Sequence, residues 1–343
     1  MKRMELSIVP DTNSDVWDEI ITSSTYSTPF HTWKWLKLME EYSDINLFGR
    51  QYKSTLYPVE INEGSETVGI IPLYYYKTPF KRIVASPPIG VQCIYLGPIL
   101  CNWDTLLPRQ RYSKFLDFQK ELDMFIKEEL KGNTIQINTS PGMEDSRPFA
   151  WSGYVVEPRY TNKLDLRYGE QVLFNNLERS VKKNIRKCER EGIEVTEGTK
   201  VDIEKIFNLL KSAERISIPI DFLMDVYDSF HPENLRIFIV THEDDVISGN
   251  IIIKYKNRVY SWVGSPKVLL DGLKPNELLR WKTIQWALMQ GSELFEIMGA
   301  SSPALFTFKN KFNSEIELYF RMKWNSPFYR FIEGWYNFVR ARS

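Results

Sequence analysis

Hydrophobic and polar positions along the chain form two successive series of elements with the same order. In the first, the periodicity predicts a helix at 33–42, a β-hairpin of strands 56–61 and 68–76, a short strand ending at Gly97, a helix at 109–130 and a strand at 134–138. In the second, it predicts a helix at 170–190, strands at 235–241, 251–253 and 258–263, a helix at 276–290 and a strand at 293–298. This shared order predicts a duplicated α/β domain.

Two further segments lie outside these series. The polar segment from Glu157 to Leu166 separates them and is the expected domain boundary. Over 327–343, aromatic residues recur at helical spacing, with arginines elsewhere around the helix. We interpret this stretch as a helix that docks its aromatic stripe on the rest of the protein; a helix lying on a membrane surface is the alternative.

Length and charge narrow the class of protein. The 343 residues are enough for two domains, each with a sizeable core. Lys and Arg number 44 and Asp and Glu number 44, so the formal net charge is zero. Neutrality argues against a protein that binds polyanions over its whole surface, and we expect no stable DNA binding. The 14% of aromatic residues suits a groove for an extended polar ligand as well as a core.

The cysteines, histidines and apolar runs give expectations about location and metals. Cys93, Cys101 and Cys188 form no C-x-x-C pair, and their odd number argues against a disulfide framework, so a reducing cytoplasm is expected. The three histidines stand in no metal-binding spacing, and we expect no metal site. No window reaches the roughly 18 apolar residues of a membrane span, and no signal peptide is recognisable.

One predicted helix is strongly basic. Six cations lie three and four residues apart on it: Arg179, Lys182, Lys183, Arg186, Lys187 and Arg190. Leu177, Val181, Ile185 and Cys188 form its expected buried stripe. The basic face could hold a pyrophosphate or an RNA backbone. A solvated surface, partly neutralised by neighbouring glutamates, is the alternative.

A second group of candidate residues runs from Tyr260 to Phe312. It combines Tyr260, Trp262 and Phe308, as candidates to contact substrate, with a Gly-Ala-Ser-Ser loop and the sequence Phe308-Lys309-Asn310-Lys311-Phe312. A cation in a water-poor site acts strongly on charge that develops in a transition state, so Lys309 is a candidate oxyanion stabiliser. An ordinary surface lysine is the alternative reading.

Several common motifs are missing from the chain. It has no Walker A loop, no G-x-G-x-x-G after a strand, no G-x-S-x-G elbow and no [RQ]-x-x-G-x-[GA] loop of the kind that cradles the pyrophosphate of acetyl-CoA. The sequence therefore argues against NTP hydrolysis, dinucleotide redox chemistry and serine hydrolysis.

Three stretches together resemble the FemABX peptidoglycan interpeptide-bridge aminoacyltransferases and their FemAB-like GNAT relatives. They are PFHTWKW from Pro29, RKCEREG from Arg186, and the block from Tyr260 that ends in F-K-x-x-F. The similarity spans most of the chain and is densest in its second half.

The resemblance implies an α/β fold with mixed sheets, built as two tandem GNAT-like domains at 1–160 and 161–325, with a C-terminal helix at 326–343 packing back on the first. In the family, members without an acetyl-CoA loop take an aminoacyl group from aminoacyl-tRNA and pass it to an amine on a UDP-linked muropeptide precursor. The donor would be a co-substrate, and no cofactor is expected.

The resemblance also carries residue roles. Lys309 matches the lysine of F-K-x-x-F to which oxyanion stabilisation is assigned, while Trp35 and Lys37 fall in the segment that lines the precursor groove. Arg179, Arg186 and Arg190 match the basic helix that heads the second domain.

The chain departs from the family in two places. Glu296-Ile297-Met298-Gly299-Ala300 stands where many relatives have Asp, an apolar residue and two glycines, so this loop is expected to differ in shape. The coiled-coil insertion of staphylococcal-type members is missing, which weakens the inference that tRNA is the donor.

The leading hypothesis is an acyl- or aminoacyltransferase that forms an amide on an amine acceptor, with a UDP-linked cell-wall precursor and aminoacyl-tRNA as the substrates the family suggests. One alternative is an N-acyltransferase that uses acyl-CoA or an acyl carrier on a polysaccharide or metabolite amine. The other is a non-catalytic module that binds RNA or another polyanion. The sequence leaves the donor, the acceptor and the oligomeric state open.

Overall fold

The computed structural model describes residues 4–47, 49–216, 218–243, 245–299 and 303–330. It divides into two compact units. The first unit takes in the chain up to Arg159 and again from Leu318 onward, and the second runs from Tyr160 to Glu317.

The elements of the first part of the chain, up to the strand in which it passes between units, are β1 (Met4–Ile8), α1 (Ser14–Ser23), α2 (Trp33–Tyr42), β2 (Ile45–Leu47), β3 (Arg50–Tyr52), β4 (Ser54–Glu63), β5 (Glu66–Lys77), β6 (Arg82–Ser86), β7 (Ile99–Leu100), α3 (Pro108–Met124), β8 (Thr134–Asn138), α4 (Arg147–Trp151) and β9 (Val155–Asp165). A π-helical turn, Phe125–Glu129, extends α3.

The elements that follow are α5 (Gly169–Asn176), α6 (Arg179–Arg190), β10 (Val195–Glu197), α7 (Lys200–Ser212), α8 (Ile220–Phe230), β11 (Leu235–His242), β12 (Asp245–Tyr255), β13 (Arg258–Gly264), α9 (Pro275–Met289), β14 (Leu294–Ile297), α10 (Pro303–Asn310) and β15 (Glu315–Asn325). The chain returns to the first unit within β15.

The two units repeat one strand topology. In the first, the order is β1-β4-β5-β6-β8-β15, antiparallel throughout except for the parallel pair β6 and β8. In the second, the order is β10-β11-β12-β13-β14-β9, antiparallel except for the parallel pair β13 and β14. Each sheet thus adds one strand from a distant part of the sequence beside its parallel pair. The predicted duplicated α/β domain is confirmed.

Each unit has its own apolar core. In the first, α3 buries Phe115, Phe118 and Leu122 in the same cluster as Ile71 and Ile137 of the sheet. In the second, the predicted stripe of the basic helix is buried, with Val181 and Cys188 fully enclosed beside residues of α9 and β14. Burial of these stripes is what fixes the helices on their sheets, because area removed from water stabilises at about 25 cal/mol per Å².

The predicted helix at 170–190 is wrong as a single element. It is broken between α5 and α6 at Leu177, whose backbone is extended (φ −60°, ψ 148°). The next residue, Glu178, donates its backbone N–H to the carbonyl oxygen of Lys311 at 2.9 Å. A contact with a residue distant in sequence therefore decides where the helix breaks.

The predicted boundary segment is part of a strand, β9, and β15 was not predicted at all. Both strands carry charges that are paired within their unit: Lys323 lies 3.1 Å from Glu157, and Lys163 lies 3.1 Å from Glu317. Paired charges allow a polar sequence to form a strand. The second unit ends at Glu317 instead of the expected residue 325, because β15 pairs with β8 of the first unit from Arg321 onward.

The C-terminal helix predicted at 326–343 falls mostly outside the described residues. Residues 327–330 form a helical turn, and 331–343 are not among those described. Within the described part of the chain, no helix combines the length and the apolarity needed to cross a membrane.

Candidate active site

The carboxyl ends of the parallel strands β13 and β14 form the centre of the candidate site. Their pairing stops at Ser261 and Ile297, while β13 continues to Gly264. Adjacent parallel strands that part at their carboxyl ends leave a crevice, the place where ligands bind in open α/β sheets.

Lys309 lies at this crevice. Its side chain comes from the last turn of α10 and is only 3% exposed, so the interpretation as a surface lysine is wrong. Its Nζ donates hydrogen bonds to the carbonyl oxygens of Ile297 (2.9 Å) and Met298 (2.6 Å). An ammonium has three protons, so one is left over once these two bonds are made.

Burial is the main cause that lowers the pKa of Lys309, to about 7, and the positive charge of Arg280 lowers it further. The carboxylate of Glu296 acts in the opposite direction. The lysine therefore changes charge close to neutral pH, which is the property expected of a group tuned for chemistry.

Glu296 is a fully buried carboxylate on β14 with defined partners. Thr161 donates to its Oε1 at 2.8 Å, and Arg258 donates to its Oε2 at 3.0 Å. Arg258 also bonds Glu317 at 3.0 Å. A buried charge is tolerable only when it is paired and hydrogen-bonded in this way. Residue 296 departs from the family pattern, but it still supplies a carboxylate, and these partners fix its position.

Arg280 was not predicted from the sequence. It lies on α9, with its Cζ 5.7 Å from the ring centre of Phe295, and burial lowers its pKa to about 10. Its Nε and Nη1 atoms are enclosed and have no hydrogen-bond partner among the described residues. One signal was available: Arg280 interrupts the apolar run Leu278-Leu279-x-Trp281, where a cation is out of place.

The predicted aromatic contacts of this unit are mostly core residues. Tyr260 and Trp262 on β13 are 3% and 5% exposed. Trp262 packs edge-on against Phe222 (6.1 Å between ring centres), and Phe308 is half-buried against Phe312 (5.5 Å). These rings support the strand that ends at the crevice, and their proposed role in contacting substrate stays a prediction.

The basic face lies on the surface, as both sequence interpretations require. Arg179, Arg186 and Arg190 are exposed on α6. Arg186 stacks its Cζ 5.5 Å from the ring centre of Phe174, and Arg190 lies 3.5 Å from Glu191. The face is thus a cationic surface with partial neutralisation at one end.

The two candidates in the first unit are placed differently. Trp35 is 1% exposed and packs edge-on against Phe30, with 5.2 Å between ring centres, so it offers almost no surface to a ligand. Trp35 therefore packs in the core of this unit, and its role in lining the precursor groove stays a prediction. Lys37 is exposed and pairs with Glu40 at 2.9 Å and Asp11 at 3.7 Å. Hydrogen bonding to Glu40 is the main cause that raises its pKa.

In the first unit, the chain's own backbone occupies the space where β6 and β8 part. Their pairing ends at Ser86 and Ile137, and beyond it Leu96 bonds Asn138 through its backbone N–H at 3.1 Å. Asn138 in turn donates its Nδ2 to the carbonyl oxygen of Ile94 at 2.7 Å. The equivalent crevice of this unit is therefore occupied by the chain's own backbone.

No group of three or more His, Cys, Asp or Glu residues in the described ranges is placed to hold a metal ion.

Part of the chain is similar to a known family of protein domains. Residues 175–310, which include α6, β13, β14 and Lys309, match the sequence model of the acetyltransferase (GNAT) domain. A tandem GNAT protein of the clavulanic acid biosynthesis pathway superimposes with a TM-score of 0.54 and 9% identity, over 94% of this chain and 98% of that one. With the repeated strand topology, these findings give the fold as two tandem GNAT-like units.

Two further proteins are similar to the chain. The crystal structure of FemX superimposes with a TM-score of 0.67 and 14% identity, over 96% of this chain and all of that one. The UDP-N-acetylmuramoylpentapeptide-lysine N(6)-alanyltransferase of Weissella viridescens is 28% identical over 171 residues, which are 46% of this chain. That match spans half the length of the alanyltransferase. The resemblance of the chain to the FemABX-like GNAT proteins is confirmed.

Proposed function

We propose that the protein transfers an aminoacyl group from an ester donor to a primary amine on a nucleotide-sugar-linked cell-wall precursor. The observation that carries the proposal is the placement of Lys309, buried and directed by two backbone carbonyls at the carboxyl end of β14. The name of the alanyltransferase to which the chain is similar supports the acceptor class.

The reaction needs little from the protein beyond position and charge. The neutral acceptor amine attacks the ester carbonyl carbon, the C–N bond forms, and the carbonyl electrons move onto oxygen. The remaining N–H of Lys309 donates to this oxyanion. When the carbonyl re-forms, the C–O bond to the donor's ribose breaks and the departing oxygen takes the proton lost by the amine. Holding the two substrates together supplies much of the remaining rate.

The first turn of α9 argues against a donor that carries a diphosphate there, as acyl-CoA would. Helix N-termini bind phosphates through free N–H groups. Here Pro275 has no N–H, and Glu277 uses its own N–H to bond the carbonyl oxygen of Lys274 at 3.0 Å. The Glu277 carboxylate is 3% exposed in the same turn and would repel an anion.

The exposed arginines of α6 fit a polyanionic donor, and aminoacyl-tRNA is the one we propose. An aminoacyl ester is already activated, so the reaction calls for no resident cofactor. Charged tRNA and nucleotide-linked precursors are made in the cytoplasm, which is therefore the compartment we propose.

The decisive experiment compares Lys309→Met with Lys311→Met, which changes the second lysine of the same motif. Purified protein is incubated with a mixed charged-tRNA pool and UDP-linked muropeptide, and products are measured by mass spectrometry. Loss of an oxyanion donor is expected to lower turnover by roughly 10²–10³ in Lys309→Met, while Lys311→Met stays within a few fold. Activity within about tenfold in Lys309→Met would exclude the role.

The same assay distinguishes the alternatives. Transfer from acyl-CoA but not from charged tRNA would support the N-acyltransferase. Tight, salt-dependent tRNA binding without transfer from any donor would support the non-catalytic module.

A further inference from the structure

The second unit contains buried hydrogen-bond donors that the proposed reaction leaves unused. Arg280 has two enclosed N–H groups, at Nε and Nη1, without a partner in the described part of the chain. Asn250 on β12 is 1% exposed, and its Nδ2 likewise has no partner there. Its Oδ1 is satisfied, because the Ser261 hydroxyl donates to it at 3.0 Å. The unsatisfied atoms of these two side chains are therefore all donors.

The side chains of Arg280 and Asn250 both lie beside Gly264, the last residue of β13. Gly264 is in register with Asn250 on the neighbouring strand. A Cβ atom at Gly264 would lie 3.3 Å from the Oδ1 of Asn250 and 3.9 Å from the Nη2 of Arg280. The glycine thus leaves room between the two side chains, at the same carboxyl edge where Lys309 meets β14.

Buried polar groups without partners are rare, because each one loses its water without a replacement. The guanidinium is also close enough to Lys309 to lower the pKa of that lysine. The nearby carboxylate of Glu296 is already engaged by Arg258 and Thr161. Glu296 is thus unavailable to the two cations, and an anion that arrives with the substrate would balance their charge.

We propose that Arg280 and Asn250 form a subsite for an anionic oxygen group, a carboxylate or a phosphate, carried by the substrate whose carbonyl Lys309 polarises. A guanidinium is suited to this task, since its planar N–H groups match both kinds of anion. The link to the carbonyl rests on the proposed function, whereas binding of the anion does not. Arg280 acts here as a residue that positions substrate.

Isothermal titration calorimetry on the full chain tests the subsite with two probes, inorganic pyrophosphate and N-acetylglycine. At least one probe is expected to bind, and Arg280→Met is expected to weaken it at least tenfold. Lys282→Met is the matched control on the same helix, because the Lys282 ammonium already lies 2.9 Å from Glu189. The affinity of this variant for the probe should stay within twofold of the wild type. Which of the two probes binds shows whether the subsite takes a phosphate or a carboxylate. No binding at millimolar concentration, or equal binding by the wild type and Arg280→Met, overturns the proposal.

Thermal unfolding is a second test, because a structural role of Arg280 predicts the opposite change in melting temperature. Arg280→Met removes two enclosed N–H groups that have no hydrogen-bond partner in the described part of the chain, so its melting temperature should equal or exceed that of the wild type. A fall of more than about 5 °C would assign Arg280 to the fold and overturn the subsite. Asn250→Asp places a carboxylate beside Arg280 and is expected to raise the melting temperature and abolish probe binding.

The outcomes separate the two proposals. Probe binding that depends on Arg280, in a protein that transfers no group from any donor, would support the subsite and refute the proposed function. If transfer depends on Lys309 but probe binding is the same with and without Arg280, the proposed function is supported and the subsite is refuted.

Discussion

The Nζ atom of Lys309 donates a 2.6 Å hydrogen bond to the carbonyl oxygen of Met298, the first residue beyond β14. This bond ties the end of α10 to the carboxyl end of a parallel strand. A free lysine side chain carries roughly 2 kcal/mol of rotamer entropy, which the bond removes before substrate arrives. The direction of the ammonium is therefore set by the backbone of β14.

The pH dependence of transfer should reflect the charge of Lys309. Because the pKa of this lysine is lowered to about 7, the ammonium is lost as pH rises through neutrality, and turnover should fall with it. Arg280 and Glu296 are the charged groups that act on it. Arg280→Gln should move the fall to higher pH and Glu296→Gln to lower pH, as measured by single-turnover rates between pH 6 and 9. If turnover falls at the same pH in both variants as in the wild type, a group other than Lys309 controls the pH dependence.

Stability should change with pH in the opposite direction to activity. Between about 7 and the ordinary lysine pKa of 10.5, the unfolded chain binds a proton at residue 309 that the folded chain does not. The free energy of unfolding therefore gains from Lys309 as pH rises through this range. Urea unfolding at pH 6.5 and 9 should show a larger gain in the wild type than in Lys309→Met.

The sequence allows much of the fold to be predicted, because periodicity is strong where one face of an element is buried. The strand predicted at 134–138 coincides with β8, and the helix predicted at 276–290 differs from α9 by one residue at each end. The break at Leu177 was not predictable locally, since the partner of the Glu178 N–H is the carbonyl of Lys311. The sequence does not predict β9 for the same reason, because the residues that pair with its charges lie far along the chain.

The site was predictable in part. Lys309 stands in a recognisable motif, but nothing local indicates that its Nζ reaches the carbonyls of Ile297 and Met298. Arg280 could be noticed only as a cation among apolar residues. That its Nε and Nη1 have no hydrogen-bond partner among the described residues emerges only from the structure.

Gly97→Ala tests whether the chain's own backbone fills the crevice of the first unit. Gly97 has φ +75°, and a Cβ there would lie 2.8 Å from the carbonyl oxygen of Asn138. Left-handed strain costs about 1–2 kcal/mol, and overpacking adds about 1–3 kcal/mol. Gly90→Ala is the control, because a Cβ at Gly90 (φ +83°) would have none of the described atoms within 4 Å, so this variant should show only the cost of the strain. Urea unfolding followed by circular dichroism measures both, and equal losses would contradict the close approach of the two segments.

Salt dependence tests the basic face of α6 as a contact for the phosphates of a tRNA donor. Each phosphate contact contributes about 0.7–0.9 to the slope of log affinity against log salt concentration. Arg179→Gln should reduce that slope by about this amount and weaken tRNA binding most at low salt, because Arg179 is exposed on this face. Lys282→Gln is the control, since its charge is already paired with Glu189 at 2.9 Å. Fluorescence anisotropy with labelled tRNA between 50 and 200 mM salt gives both slopes. An Arg179→Gln slope equal to that of the control would mean that the donor approaches by another surface.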